Sequence, residues 1–164
     1  MLDLFEDRDL GGLYAAGARD ESLVLRLKDS DDGAEPSSNS VGALSLLRLA
    51  LLTGRDEFRA AAGRILEAFA GVIEDVPSRS PHMLIALGFY LGKPKQIVIA
   101  GERGAADTES LVRAVHRRFL PYKAVLLGTE PRWPLLGRAT AYVCENFTCR
   151  EPVTSVEQFS ELLK

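Results

Sequence analysis

The hydrophobic pattern changes period along the chain, and each change marks an element. Leu23, Leu25 and Leu27 fall on every second position, the spacing of one face of a strand. With the β-leaning run 11–15 before them and the turn-like segment 17–21 between, they predict an N-terminal β-hairpin. Residues 41–52 are apolar on nearly every side of a helix, with Ser45 and Arg48 the clear polar interruptions, so this helix is expected to be buried. The next helix, from about Asp56 to Glu74, is amphipathic. Phe58, Ala61, Ala62, Ile65, Phe69, Val72 and Ile73 share one face, and Arg55, Glu57, Arg59, Arg64 and Glu67 take the other. Residues 83–91 are again apolar all round and stop at Gly92 and Pro94, which makes the order buried, surface, buried.

From Pro94 the pattern shortens. Residues 96–100 form a β-branched run bounded by Pro and Gly, as a buried strand does. Asp107 or Thr108 can cap a helix running to about Phe119, with Leu111, Val112, Val115 and Phe119 inward and Arg113, Arg117 and Arg118 outward. A strand over 122–127 completes a βαβ unit. A third strand is expected at 140–144. Ser155 and Gln158 form a capping box for a terminal helix with Val156, Phe159, Leu162 and Leu163 inward. The expected fold is mixed α/β in two parts, a hairpin with three helices over 1–93 and a small α/β unit over 94–164.

Composition narrows the setting. A chain of 164 residues, 46% hydrophobic and 26% charged, can bury a core of its own. A net charge of -3 gives no electrostatic reason to expect nucleic acid or an anionic membrane surface as partner. No apolar run approaches the ~20 residues of a bilayer span, and the N-terminus lacks a basic-then-apolar leader pattern, so a cytoplasmic protein is expected. The two cysteines, Cys144 and Cys149, are too few for a secreted disulfide framework and suit a reducing compartment. Their spacing is neither that of a thioredoxin-type pair nor that of a zinc half-site with a partner half, so they are expected to be buried or semi-buried structural cysteines, with no metal and no cofactor.

Candidate chemistry concentrates in residues 26–40, which place nearly every kind of polar group ahead of the first apolar helix. Ser37, Ser38 or Asn39 can cap that helix, and Asp31, Asp32 and Glu35 stand near the positive end of its dipole. The same groups suit a ligand. Asp32 and Glu35 could work as an acid–base carboxylate pair, while Arg26, Lys28 and Asn39 hold ligand oxygens. His82, at the start of the third helix, reads either as a neutral base or as a packed or capping residue. His116 reads as solvated. The loop 101–104 before a helix suits an anion, yet it matches neither glycine-rich nucleotide pattern, which favours a plain tight turn.

Residues 25–40, then 46–50, then the 142–153 segment containing both cysteines, make the chain similar to the C-terminal portion of the spermatogenesis-associated, thioredoxin-domain-containing family. The resemblance covers essentially the whole chain. It implies an N-terminal thioredoxin-like domain, which this sequence lacks, and a toroid of α-helical hairpins like those of six-hairpin glycosidases and N-acylglucosamine 2-epimerases. Three helices are too few to close such a ring, so the resemblance implies a partial α/α toroid in a fragment or subunit. The function it implies is carbohydrate-active, glycosidase- or epimerase-like; the residue reading above then makes Asp32, Glu35 and His82 the expected catalytic groups and Arg26, Lys28 and Asn39 the expected binders of a carbohydrate-like ligand. Its expected partners are a second copy or the remainder of the toroid. The alternative is a non-catalytic interaction or structural module partnering a thioredoxin-like protein.

Overall fold

A computed structural model describes residues 1–20, 22–128, 131–145 and 148–164. The turn residue Glu21 and the signature residues Asn146 and Phe147 lie outside the described residues. The fold is mixed α/β, and the chain divides into two compact units, Met1–Gly92 and Lys93–Lys164.

The first unit is built on helices. A short α1 (Leu2–Phe5) leads into an isolated bridge between Glu6 and Leu13. Gly11 and Gly12 turn the chain at φ 73° and 83°, and a side chain at Gly11 would meet the Arg64 carbonyl oxygen at 2.5 Å. The expected hairpin over 11–27 is not built as two strands. Leu13 pairs backward with Glu6, and residues 22–27 run without a ladder, joined to the first segment by the hydrogen bond from Ala15 N to Leu27 O. Their alternation fails as a strand signal because no face of that segment is covered: Leu23, Val24, Leu25 and Leu27 are all exposed.

Helix α2 (Ser38–Thr53) starts where Ser37 Oγ accepts the Ser40 N–H and stops where Gly54 takes φ 71°. The single amphipathic helix expected next is two, α3 (Asp56–Ala68) and α4 (Ala70–Asp75), because Phe69 leaves helical geometry as its ring packs on the core. A 3₁₀ turn (Pro77–Arg79) then delivers α5 (Pro81–Leu91). Leu44, Leu46 and Leu47 of α2, Ala61, Ala62 and Ile65 of α3, and Met83, Ala86 and Phe89 of α5 make the core. The expectation that α2 and α5 are buried all round is corrected. Val41 and Leu49 of α2 are exposed, and on α5 Leu84, Ile85 and Leu91 are 36%, 44% and 72% exposed. The described chain supplies cover for one side of α5 only.

The second unit is a four-stranded sheet in the order β2-β1-β3-β4. Strand β1 (Lys95–Ala100) runs parallel to β2 (Lys123–Leu127) through the crossover helix α6 (Ala106–His116), which is the expected βαβ unit. Strand β3 (Thr140–Glu145) lies antiparallel to β1, and the two-residue β4 (Thr148–Cys149) pairs with β3 at the edge. Ile97, Ile99 and Val143 meet Leu111 and Val115 of α6 and Phe159 of α7 (Val156–Leu162). Alternate residues Val98, Ala100, Tyr142 and Cys144 form a second cluster with Trp133, as the two-residue period of a strand requires. Ser155 caps α7 by accepting the Gln158 N–H at 3.2 Å. Helix α6 ends at His116, so Phe119, expected inward, is 92% exposed. Cys144 and Cys149, directly opposite across the β3–β4 ladder, are joined in a disulfide.

Candidate functional site

The polar stretch 26–40 becomes a clasp around the ends of two helices. Asp32 is its centre. One carboxylate oxygen accepts the Ser37 N–H at 2.8 Å, at the start of α2. The other accepts the His82 and Met83 N–H groups at 2.7 and 3.3 Å, in the first turn of α5. Each helix leaves its first N–H groups unpaired and carries partial positive charge there, so one carboxylate satisfies both ends. Burial pushes the Asp32 carboxyl up, but hydrogen bonds from Ser37, Ser40, His82 and Met83 outweigh it and hold it below the usual carboxylate range. Ionised and fully engaged, Asp32 has no proton to donate near neutral pH.

Around it the backbone of 29–32 is laced to that of 79–80. Asp32 N–H donates to Arg79 O at 2.7 Å, Ser80 Oγ donates to Ser30 O at 2.8 Å, and Arg79 forms an ion pair with Asp31. Asn39 is fully buried and pairs with Leu13 as a neighbouring strand would. Its Oδ1 accepts the Leu13 N–H at 2.6 Å, and its Nδ2 donates to Leu13 O at 2.9 Å and to Asp29 O at 2.8 Å. The Arg26 guanidinium donates to Ala16 O and Leu4 O and lies 3.9 Å from the centre of the Tyr14 ring. Lys28 Nζ reaches Gly11 O at 2.7 Å and Asp7 Oδ2 at 2.8 Å.

Asp7 and Tyr14 are polar partners that the sequence pattern does not single out. Asp7 is buried, accepts the Asp9 and Leu10 N–H groups at 3.0 Å, and takes the Tyr14 hydroxyl at 2.7 Å. The Lys28 ammonium, the Leu10 N–H and the Tyr14 hydroxyl hold its carboxyl far below the usual range, and the bond to Asp7 raises the Tyr14 hydroxyl. No short spacing announces this cluster, since its members come from segments that only the fold brings together.

Of the six residues expected to serve a ligand, Arg26, Lys28, Asp32 and Asn39 are thus occupied by the chain's own backbone and side chains. Glu35 and His82 remain. Glu35 is exposed, three residues beyond Asp32 in the loop that enters α2, and its carboxylate makes no hydrogen bond or ion pair among the described residues. His82 is half-buried, its backbone N–H fixed by Asp32 and its ring likewise unengaged among the described residues. The clasp therefore ties the loop that carries Glu35 and the helix start that carries His82 to the same Asp32 carboxylate. Among the described residues no group of three or more His, Cys, Asp or Glu is placed to hold a metal ion, and no helix is long and apolar enough to cross a membrane.

No protein-family model matches the chain. It is 39% identical over 98% of its length to Spermatogenesis-associated protein 20 of Homo sapiens and 38% identical to the protein of that name from Rattus norvegicus. It is 25% identical over 92% of its length to an uncharacterized protein of Caenorhabditis elegans. The chain spans 22% of the length of each of these relatives.

Proposed function

We propose that the chain is the C-terminal part of a protein of the spermatogenesis-associated, thioredoxin-domain-containing family, and that its helical unit is an arc of an α-helical toroid with a carbohydrate-like ligand at its rim. The supporting observation is the double engagement of Asp32. Because α2 and α5 start at one carboxylate and pack side by side, they run in the same direction, with α3 following α2 in the chain and returning against its other side. Inner helices of a ring of hairpins have that relation, and residues at their shared start face the cavity. Glu35 is then the acid–base carboxylate and His82 the accompanying base or ligand donor. Asp32, Arg26, Lys28 and Asn39 set the rim's shape instead of touching the ligand.

The test is saturation-transfer NMR of the protein with glucose, N-acetylglucosamine and cellobiose. Glu35→Gln is expected to abolish the transfer while the melting temperature stays unchanged, since the Glu35 side chain holds nothing in place. Absence of transfer in the wild-type protein, or transfer equal in wild type, Glu35→Gln and His82→Ala, overturns the reading.

A second reading is favoured by the internal saturation of the other four residues and by the exposed Leu84, Ile85 and Leu91 of α5. In it the unit is a non-catalytic module that associates with a thioredoxin-like partner or with the rest of a toroid, and the clasp is its conformational anchor. Equal sugar binding in all variants, or none, together with binding of that partner, selects it.

A further inference from the structure

The Cys144–Cys149 bridge joins sulfurs in unlike settings. Cys144 is 2% exposed, on the sheet face where Val98, Trp133 and Tyr142 pack, whereas Cys149 is exposed on the edge strand β4. The Trp133 and Tyr142 rings lie 4.9 Å apart, centre to centre, in the same cluster as Cys144. As a staple the bridge does little: it spans five positions of sequence, and a crosslink that closes so short a loop restricts the unfolded chain least. Nor does it hold a core element. Strand β4 has two residues, both exposed, and the return of the chain to β3 is secured further on by the Ala141–Val153 bridge, with paired hydrogen bonds of 2.8 and 3.0 Å. A bond that reaches an exposed edge residue, closes a short loop and belongs at its other end to the cluster holding the chain's single tryptophan has the properties of an exchangeable bridge.

We infer that this disulfide is a reversible dithiol–disulfide site whose reaction partner is a dithiol. A thiolate of the dithiol attacks the sulfur of Cys149, the exposed residue of the pair. The S–S bond breaks, its electron pair leaves on Cys144, and that sulfur takes up a proton. The second thiolate of the dithiol then attacks its own mixed-disulfide sulfur and releases Cys149, which is protonated in turn. The bridge gains two electrons and two protons, and the dithiol becomes a disulfide. Reduction frees β4 from its crosslink and leaves the rest of the sheet paired.

Dithiothreitol at graded ratios of reduced to oxidised form is the probe, applied to the folded chain, with alkylation and mass spectrometry counting free thiols. The expected result is a two-electron transition from no alkylated cysteine to two, with Trp133 emission rising in parallel as the neighbouring disulfide is lost. Far-UV circular dichroism is expected to stay constant, and oxidised dithiothreitol to reverse every signal. Cys149→Ser is expected to fold with the wild-type spectrum and to show no emission response. The inference is overturned if the bridge stays closed in dithiothreitol that opens it in urea, or if it opens only with loss of the circular dichroism signal. It is also overturned if Cys149→Ser fails to fold or responds as wild type does.

Discussion

Replacing Asp32 separates a structural carboxylate from a catalytic one. In Asp32→Ala, Ser37 N–H at the start of α2 and the His82 and Met83 N–H groups at the start of α5 lose their acceptor together. Loss of one helix cap costs about 1 kcal/mol, so two ends lost at once cost about 2 kcal/mol. For a cooperative unit of this size that lowers the melting temperature by roughly 8–16 °C. Asp32→Asn keeps one acceptor oxygen but turns an NH₂ group toward the other helix end, and an effect of about half that size is expected.

The acid side supplies an independent check. The folded-state Asp32 carboxyl lies below the ordinary aspartate value of 3.8, so its contribution is complete above that pH and is lost as pH falls through the lower folded value. Asp7 titrates in the same direction, so the informative quantity is the difference between wild type and Asp32→Asn. Thermal melts followed by circular dichroism at pH 7 and in steps below pH 4 measure it, and the gap between the two proteins is expected to close as the medium becomes acid. A purely catalytic Asp32 makes no such demand on stability. Melting of Asp32→Ala within about 2 °C of wild type at pH 7, or a gap that does not change with pH, refutes the clasp.

Asn39→Ala leaves the buried Leu13 N–H and C=O without their side-chain partner and is expected to cost about 3 kcal/mol in urea unfolding, with a loss under 1 kcal/mol counting against the pairing. A side chain added at Gly101 would clash with Thr108 Oγ1, and Thr108 Oγ1 itself has no hydrogen-bond partner among the described residues. Gly101→Ala is therefore expected to destabilise by about 1–3 kcal/mol, and Thr108→Ala to recover part of that loss in the double variant; strictly additive effects in the cycle would disprove the contact. Burying a leucine-sized side chain contributes roughly 1.5–3 kcal/mol, and Leu84, Ile85 and Leu91 stand exposed on one helix, so the chain is expected to associate at low micromolar concentration. Light scattering from a stable monomer that binds no hydrophobic dye would contradict this.

The legible parts of the fold are those whose signal is local. The periodicity of 41–52 and 83–91, the amphipathic face carrying Ala61, Ala62 and Ile65, the apolar run 96–100 and the Ser155 cap each correspond to an element, because helix and strand periods are set within a few residues. The hairpin misreading has a physical cause. Alternation at Leu23, Leu25 and Leu27 reports a strand only when another segment covers one face, and here the Leu13 N–H and C=O are taken by the Asn39 side chain while Gly12 and Tyr14 beside it bond the 5–7 backbone. The burial of α5 departs from its pattern for a related reason, since a helix apolar all round shows what it can bury and not what the chain provides to cover it.

The candidate site is harder to read because a helix N-terminus and an oxygen-rich ligand recruit the same side chains. Both present donors that a carboxylate or amide oxygen satisfies, so Asp, Glu, Ser and Asn ahead of an apolar run serve either purpose. Asp32 and Glu35 show how the fold divides them. They are carboxylates three positions apart in one loop, and local pattern assigns them the same roles. Asp32 is committed to structure by the His82 N–H, a donor fifty positions later in the chain that arrives only once α5 has packed against α2. Among the described residues Glu35 receives no such donor, and the packing that closes the first carboxylate leaves the second exposed.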